Sequence, residues 1–256
     1  MVPPPVEDVK SLSFAHQVAA FARDMPAERL RAVSGVRSTG APVPGGRDDI
    51  MVNSPPHVPV YRPRLPSAAA IGPYLETLDR TRTYSNHGAL ERQFAARISR
   101  LFGFDTPVTA TASSGTAALA GAILAGAGRA SGVRDLCLCP AYTFVATAAA
   151  VEQCGYRLHF IDVDEKTWQA DPDALLAHPA LPQVGLVVPV AAYGRAVPQE
   201  AWQRFQSLTG IPVVIDGAAS SESLADSPER HFGPIPVALS FHATKAFATG
   251  EGQFSG

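Results

Sequence analysis

The run Ser240-Phe241-His242-Ala243-Thr244-Lys245 decides the reading of this chain. An apolar stretch over residues 236–239 leads into it, and the turn-forming Gly250-Glu251-Gly252 follows. A second apolar run, Ile211-Pro212-Val213-Val214-Ile215, ends in Asp216. Strands that are apolar along their length are covered on both faces, which is the habit of parallel sheets. Lys245 and Asp216 therefore close two buried strands of one sheet.

Outward from these two strands the pattern repeats. A helix is expected from His87 or Gly88 to Phe102, with Leu90, Phe94, Ala95 and Ile98 as its apolar stripe. Further helices are expected from Gly115 to Ala127, Thr143 to Cys154 and Pro198 to Thr209, and Leu175 should begin a short helical piece. Between them, strands are expected at Pro107–Ala112, Asp135–Cys139, Arg157–Ile161, Val184–Val190, Val213–Ile215 and Val237–Phe241. This alternation predicts an α/β fold, a mostly parallel sheet with helices on both faces. In such sheets ligands collect beyond the carboxyl ends of the strands. Ser114, Tyr142, Asp216 and Lys245 all fall just past expected strands.

The chain of 256 residues is 46% hydrophobic and 17% charged, enough for one large buried core. The first 66 residues read differently, as a Pro/Arg-rich extension with one amphipathic segment over Ser11–Val33. Residues 67–256 form the expected domain. A net charge of -2 provides no general attraction for nucleic acid or an anionic membrane. The N-terminus has three prolines in its first ten residues and no apolar secretory core. Cys137, Cys139 and Cys154 have no metal-type spacing and read as buried reduced thiols, which points to a cytoplasmic location. The paired carboxylates Asp162 and Asp164 have no partner ligands at metal spacing, so no metal site is expected.

The candidate site residues each have a plain reading and a functional one. Lys245 is either a solvated lysine or an amine that condenses with a carbonyl. Asp216 is either a turn carboxylate or the partner of a protonated ring nitrogen. Together they suit pyridoxal phosphate, which needs a lysine for attachment and an acid beside its pyridine nitrogen. Ser113-Ser114-Gly115-Thr116 opens a helix and is either an ordinary cap or a phosphate cradle built from hydroxyls and free N–H groups. Ser240 offers another hydroxyl near Lys245. In Pro140-Ala141-Tyr142-Thr143-Phe144, an aromatic ring is either core packing or a platform for a flat cofactor.

From Tyr84 to Gly252 the chain resembles the DegT/DnrJ/EryC1/StrS family of pyridoxal-phosphate-dependent sugar aminotransferases. The matching pieces include Ser85-Asn86-His87-Gly88, Ser114-Gly115-Thr116-Ala117-Ala118-Leu119 and Pro140-Ala141-Tyr142-Thr143-Phe144-Val145-Ala146-Thr147. Further along come Phe160-Ile161-Asp162-Val163-Asp164, Tyr193-Gly194, Asp216-Gly217-Ala218, Ser240-Phe241-His242, Lys245 and Gly250-Glu251-Gly252. The resemblance implies the large domain of fold-type I pyridoxal-phosphate transferases. It implies that Lys245 holds the cofactor covalently and later carries the proton, and that Asp216 pairs with the pyridine nitrogen. Phe144 would stack on the ring. Ser114, Gly115, Thr116 and Ser240 would hold the phosphate.

By the same resemblance, the substrates would be a keto sugar, nucleotide-linked, and an amino-acid donor such as glutamate, and the enzyme would be a homodimer. Three departures stand against the family pattern. Ala219 replaces the usual Gln or His that bonds the cofactor's phenolic oxygen. Gly252-Gln253 replaces a glycine pair. The sequence stops at Gly256, after the lysine motif, so the large domain is expected to be incomplete and the small C-terminal domain absent. These departures keep open an alternative, a catalytically incomplete relative that acts as a binding or regulatory partner.

Overall fold

The computed structural model describes residues 65–256 other than 86, 106, 107, 227, 229–231, 246, 249–252 and 256. All of these lie in the unit Val58–Gly256. The amphipathic segment expected over residues 11–33, nearly all of the extension over 1–66 and the turn over 250–252 lie outside the described residues.

Each strand–helix repeat forms for a local reason. Helices α1 (Ala68–Thr81) and α2 (Ala89–Leu101) precede β1 (Ala110–Ala112). Ser67 caps α1 by accepting the Ala70 N–H, and α2 turns Ala95 and Ile98 inward. The Ser114 hydroxyl caps α3 (Gly115–Gly126) by accepting the Ala117 N–H at 3.2 Å. This helix is apolar nearly all round and rich in alanine, so it lies buried against the sheet. Strand β2 (Leu136–Pro140), helix α4 (Val145–Gln153) and strand β3 (Arg157–Ile161) follow, then the single turn α5 (Pro172–Leu175) and β4 (Val184–Val187). Helix α6 (Gln199–Thr209) ends at Gly210 in the left-handed conformation and buries Trp202 and Phe205. The last elements are β5 (Ile215–Asp216), α7 (Ser221–Asp226), β6 (Val237–Ser240) and β7 (Gln253–Ser255).

Strands β3-β2-β4 form one parallel ladder, and β1-β7-β6-β5 form a second, mixed one. Parallel bridges Val187–Val213 and Val190–Asp216 stitch β4 to β5, so the strands follow one another as β3-β2-β4-β5-β6-β7-β1. Strand β7 runs antiparallel to both its neighbours, and the rest share one direction. Alternation along β2 divides the core. Leu136 and Leu138 join Ile98, Trp202, Phe205 and Leu224 on one face, whereas Cys137 and Cys139 join Leu119, Ile123, Ala150 and Val151 on the other. All three cysteines are free and buried.

The structure corrects several boundaries. The helical turn at residue 175 ends there instead of beginning there, because Asp171 caps it and Pro172 opens it. Ladder pairing in the strand expected to Val190 stops at Val187, after which Val190 bonds forward to the end of β5. Helices α1 and α7 and strand β7 were not expected. Helix α1 buries no residue, so its apolar pattern carries no core stripe, and α7 has only six residues. Among the described residues no helix is long and apolar enough to cross a membrane.

Candidate functional site

The carboxyl ends of β1, β2, β5 and β6 open onto one region of the molecule. Asp216, the last residue of β5, is 8% exposed. Its Oδ2 accepts the Thr147 hydroxyl at 2.6 Å, and its Oδ1 accepts the Ala218 N–H at 3.0 Å. Among the described residues no lysine, arginine or histidine forms an ion pair with it. Burial pushes its carboxyl above the ordinary range, while Thr147, the Ala218 N–H and the positive field of Lys245 pull it back. A carboxylate removed from water without a bonded cation is costly, and a cationic ring nitrogen is the kind of partner that offsets it.

Lys245 is half-buried, and its backbone N–H bonds to the His242 carbonyl at 2.8 Å in the turn that follows β6. It lines two adjoining cavities together with Asp216, Phe144 and Ala218. The inner cavity, about 410 Å³, is lined by Ser114, Gly115, Thr116, Thr147, Ser240 and His242 among others. Gly115 and Thr116 are the first two residues of α3, where backbone N–H groups have no acceptor within the helix. Such groups, with the helix dipole behind them, suit an anion. The Ser240 side chain is buried beside them and accepts the His242 N–H at 3.4 Å.

The outer cavity, about 380 Å³, has Tyr142, Thr143, Ala192, Tyr193 and Ala219 in its wall. Tyr142 donates its hydroxyl to Tyr193 at 2.9 Å, and both rings meet Trp168 edge-on at centroid distances of 5.9 and 5.5 Å. The shared hydrogen bond raises the Tyr142 phenol above its ordinary range. Phe144 stands at the boundary of the two cavities and is 76% exposed, so its ring is not a core residue.

The structure thus brings Ser114, Gly115, Thr116, Phe144, Asp216, Ser240 and Lys245 to one place. Ser114 spends its hydroxyl oxygen on capping α3, which is its plain reading. Asp164 likewise accepts the N–H groups of Lys166 and Thr167 and closes a turn. Thr147, Tyr193 and Trp168 carry contacts that reading the sequence residue by residue did not assign. Thr147 sits four residues after Thr143, one helical turn on, and that spacing was the available signal. Trp168 has a positive φ of 59°, which no sequence pattern announces.

A mostly parallel sheet with a lysine and a buried carboxylate at its strand ends, beside a helix N-terminus, is the arrangement of the pyridoxal-phosphate transferase fold. The comparisons agree. Residues 68–253 match the DegT/DnrJ/EryC1/StrS aminotransferase family, and the chain belongs to that family. It is 34% identical over 204 residues to Protein Rv3402c of Mycobacterium tuberculosis, covering 77% of this chain and 48% of that protein. It is 30% identical over 195 residues to the dTDP-4-amino-4,6-dideoxy-D-glucose transaminase of Shigella dysenteriae, covering 75% and 50%. Among solved structures, DesI in the presence of its TDP-sugar product superposes with a TM-score of 0.64 at 28% identity, over 76% of this chain and 47% of that one. The chain spans about half the length of the curated relatives it matches.

Proposed function

We propose that this chain binds pyridoxal phosphate and serves the transfer of an amino group from an amino acid such as glutamate to a keto sugar carried on a nucleotide. The observation that carries the proposal is Asp216, a buried carboxylate with no bonded cation among the described residues, beside a half-buried lysine and with an anion-ready helix end lining the same cavity. The sugar enters through the similarity to the dTDP-4-amino-4,6-dideoxy-D-glucose transaminase.

The residues present fit the cofactor. Gly115, Thr116 and Ser240 would hold its phosphate, Phe144 its ring face, Asp216 its ring nitrogen and Lys245 its carbonyl carbon. When bound, pyridoxal phosphate supplies an electron sink for breaking a bond at the amino-bearing carbon. The protein supplies the rest. Asp216 keeps a negative charge where a cation must be stabilised. The Lys245 amine, once free, takes a proton from the donor's α-carbon and returns it to a neighbouring atom as general base and acid. Its position over both cavities lets one amine serve both the inner and the outer site. Phe144, Tyr142 and Tyr193 would form an aromatic wall at the outer cavity.

Borohydride trapping tests this assignment. Incubation with pyridoxal phosphate, reduction and peptide mapping should place the added mass on Lys245, and equal labelling of Lys10 or Lys166 would contradict it. The second reading, a binding or regulatory relative without turnover, draws on Ala219, whose methyl group lines the outer cavity where a hydrogen-bonding side chain would reach the cofactor. Trapping at Lys245 with no amino transfer to any keto sugar would favour it.

A further inference from the structure

Thr143 lies just before α4 and Thr147 lies within it, one turn apart, with their hydroxyl oxygens 2.7 Å from each other. Thr147 is fully buried, and its oxygen is also 2.6 Å from Asp216 Oδ2. Thr143 is half-buried and lines the outer cavity, Thr147 lines the inner one, and Asp216 borders both. We infer that Thr143 and Thr147 form a two-hydroxyl relay that positions the Asp216 carboxyl and carries its charge state to the outer cavity.

The proton count makes the relay directional. A hydroxyl has one proton to donate. While Asp216 is ionised, Thr147 must point its proton at Oδ2, so its oxygen can only accept from Thr143. Thr143 then presents lone pairs, and no proton, to the outer cavity. If Asp216 takes a proton on Oδ2, it donates to Thr147, Thr147 turns its proton to Thr143, and Thr143 is free to donate outward. A ligand hydroxyl or ammonium group that donates to Thr143 therefore favours the ionised carboxylate, and an acceptor there disfavours it. Chains of this kind polarise one another in a low-dielectric site.

The other groups facing Asp216 do not replace the relay. The Ala218 N–H bonds Oδ1, not Oδ2. The Cys139 thiol on β2 feels the carboxylate, but burial pushes it up to about 12, so it stays neutral. Lys245 contributes its field without an ion pair. The relay's consequence for catalysis rests on the cofactor reading above, but the relay itself is measurable without cofactor.

The test is a 13C NMR titration of the side-chain carboxyls in the full 256-residue chain, free of pyridoxal phosphate, with the Asp216 signal identified by its loss in Asp216→Asn. Thr147→Val should raise the Asp216 midpoint by about one to two pH units, because it removes a hydrogen bond made to the charged form. Thr147→Ser, which keeps the hydroxyl, should restore it. Thr143→Val should move the midpoint in the same direction by a smaller amount, since Thr147 loses its incoming donor. An unmoved midpoint in Thr147→Val, or one moved there but not in Thr143→Val, would overturn the relay. If Thr147→Val does not fold, Thr143→Val decides alone, its side chain lying outside the helix and only half-buried. A chain that shows these shifts yet binds no pyridoxal phosphate would remove the cofactor reading and leave the relay standing.

Discussion

A Cβ on Gly194 would come within 2.6 Å of the Ala219 carbonyl oxygen. The segment carrying Tyr193 thus lies directly on the backbone that follows Asp216, and the Ser223 hydroxyl also holds it by donating to the Gly194 carbonyl at 2.6 Å. Gly194 also has φ +84°, a conformation that costs other residues energy. Gly194→Ala should therefore destabilise the chain by about 2–4 kcal/mol, combining backbone strain with the collision. Urea denaturation measures this, and the outer cavity should lose its shape before the inner one does.

The Asp216 carboxyl has a price in the cofactor-free protein. Its proton affinity is raised by burial, so folding favours the protonated form. Stability from this group is full below the ordinary Asp value of 3.8 and falls as the pH rises through the higher folded value. Asp216→Asn keeps the shape and removes the charge. Without cofactor it should be more stable than the parent by about 0.5–2 kcal/mol at neutral pH, the gap closing as the pH falls toward the ordinary Asp range. The same variant should bind pyridoxal phosphate worse. Thermal melts across pH, with and without cofactor, check both signs.

Phe144 is exposed at the boundary of the two cavities, and its proposed role is to face a ligand. Phe144→Ala should leave the urea midpoint unchanged and weaken pyridoxal phosphate binding by about 3- to 10-fold, the worth of one aromatic stacking contact. A matched loss of stability would mean that the ring packs on the protein instead.

Leu239 works from below the site. It is a fully buried residue of β6, one position before Ser240. Leu239→Ala should cost about 2–5 kcal/mol through lost burial and the cavity left behind. Since Ser240 is fixed by that strand, phosphate-bearing ligands should bind less tightly even where the variant stays folded.

Much of this site could be read in the sequence because the chemistry sits at strand ends, where a break in apolar character marks it. The runs before Asp216 and Lys245 are visible for that reason, and so is the Ser114 position, where a strand gives way to an alanine-rich helix. Helix α6 was legible from Trp202, Phe205 and its closing Gly210, which combine an apolar stripe with a stop signal. Helix α1 was not, because none of its residues is buried and burial is what creates a stripe. Strand β7 escaped notice because three residues carry no usable period, and its place between β1 and β6 depends on pairing far along the chain. The tie between Thr147 and Asp216 spans 69 positions, a distance over which local pattern says nothing about contact. Similarly, Tyr142, Trp168 and Tyr193 meet only because three separate loops converge at the sheet's carboxyl end.

Lys245 and Asp216 together are proposed to form a site for pyridoxal phosphate. The most direct measurement is a titration of the purified chain with pyridoxal phosphate, followed by visible absorption, with Lys245→Ala in parallel. A saturable visible band is expected in the parent chain and none in the variant. A folded parent chain with no band, or the same band in Lys245→Ala, would contradict it.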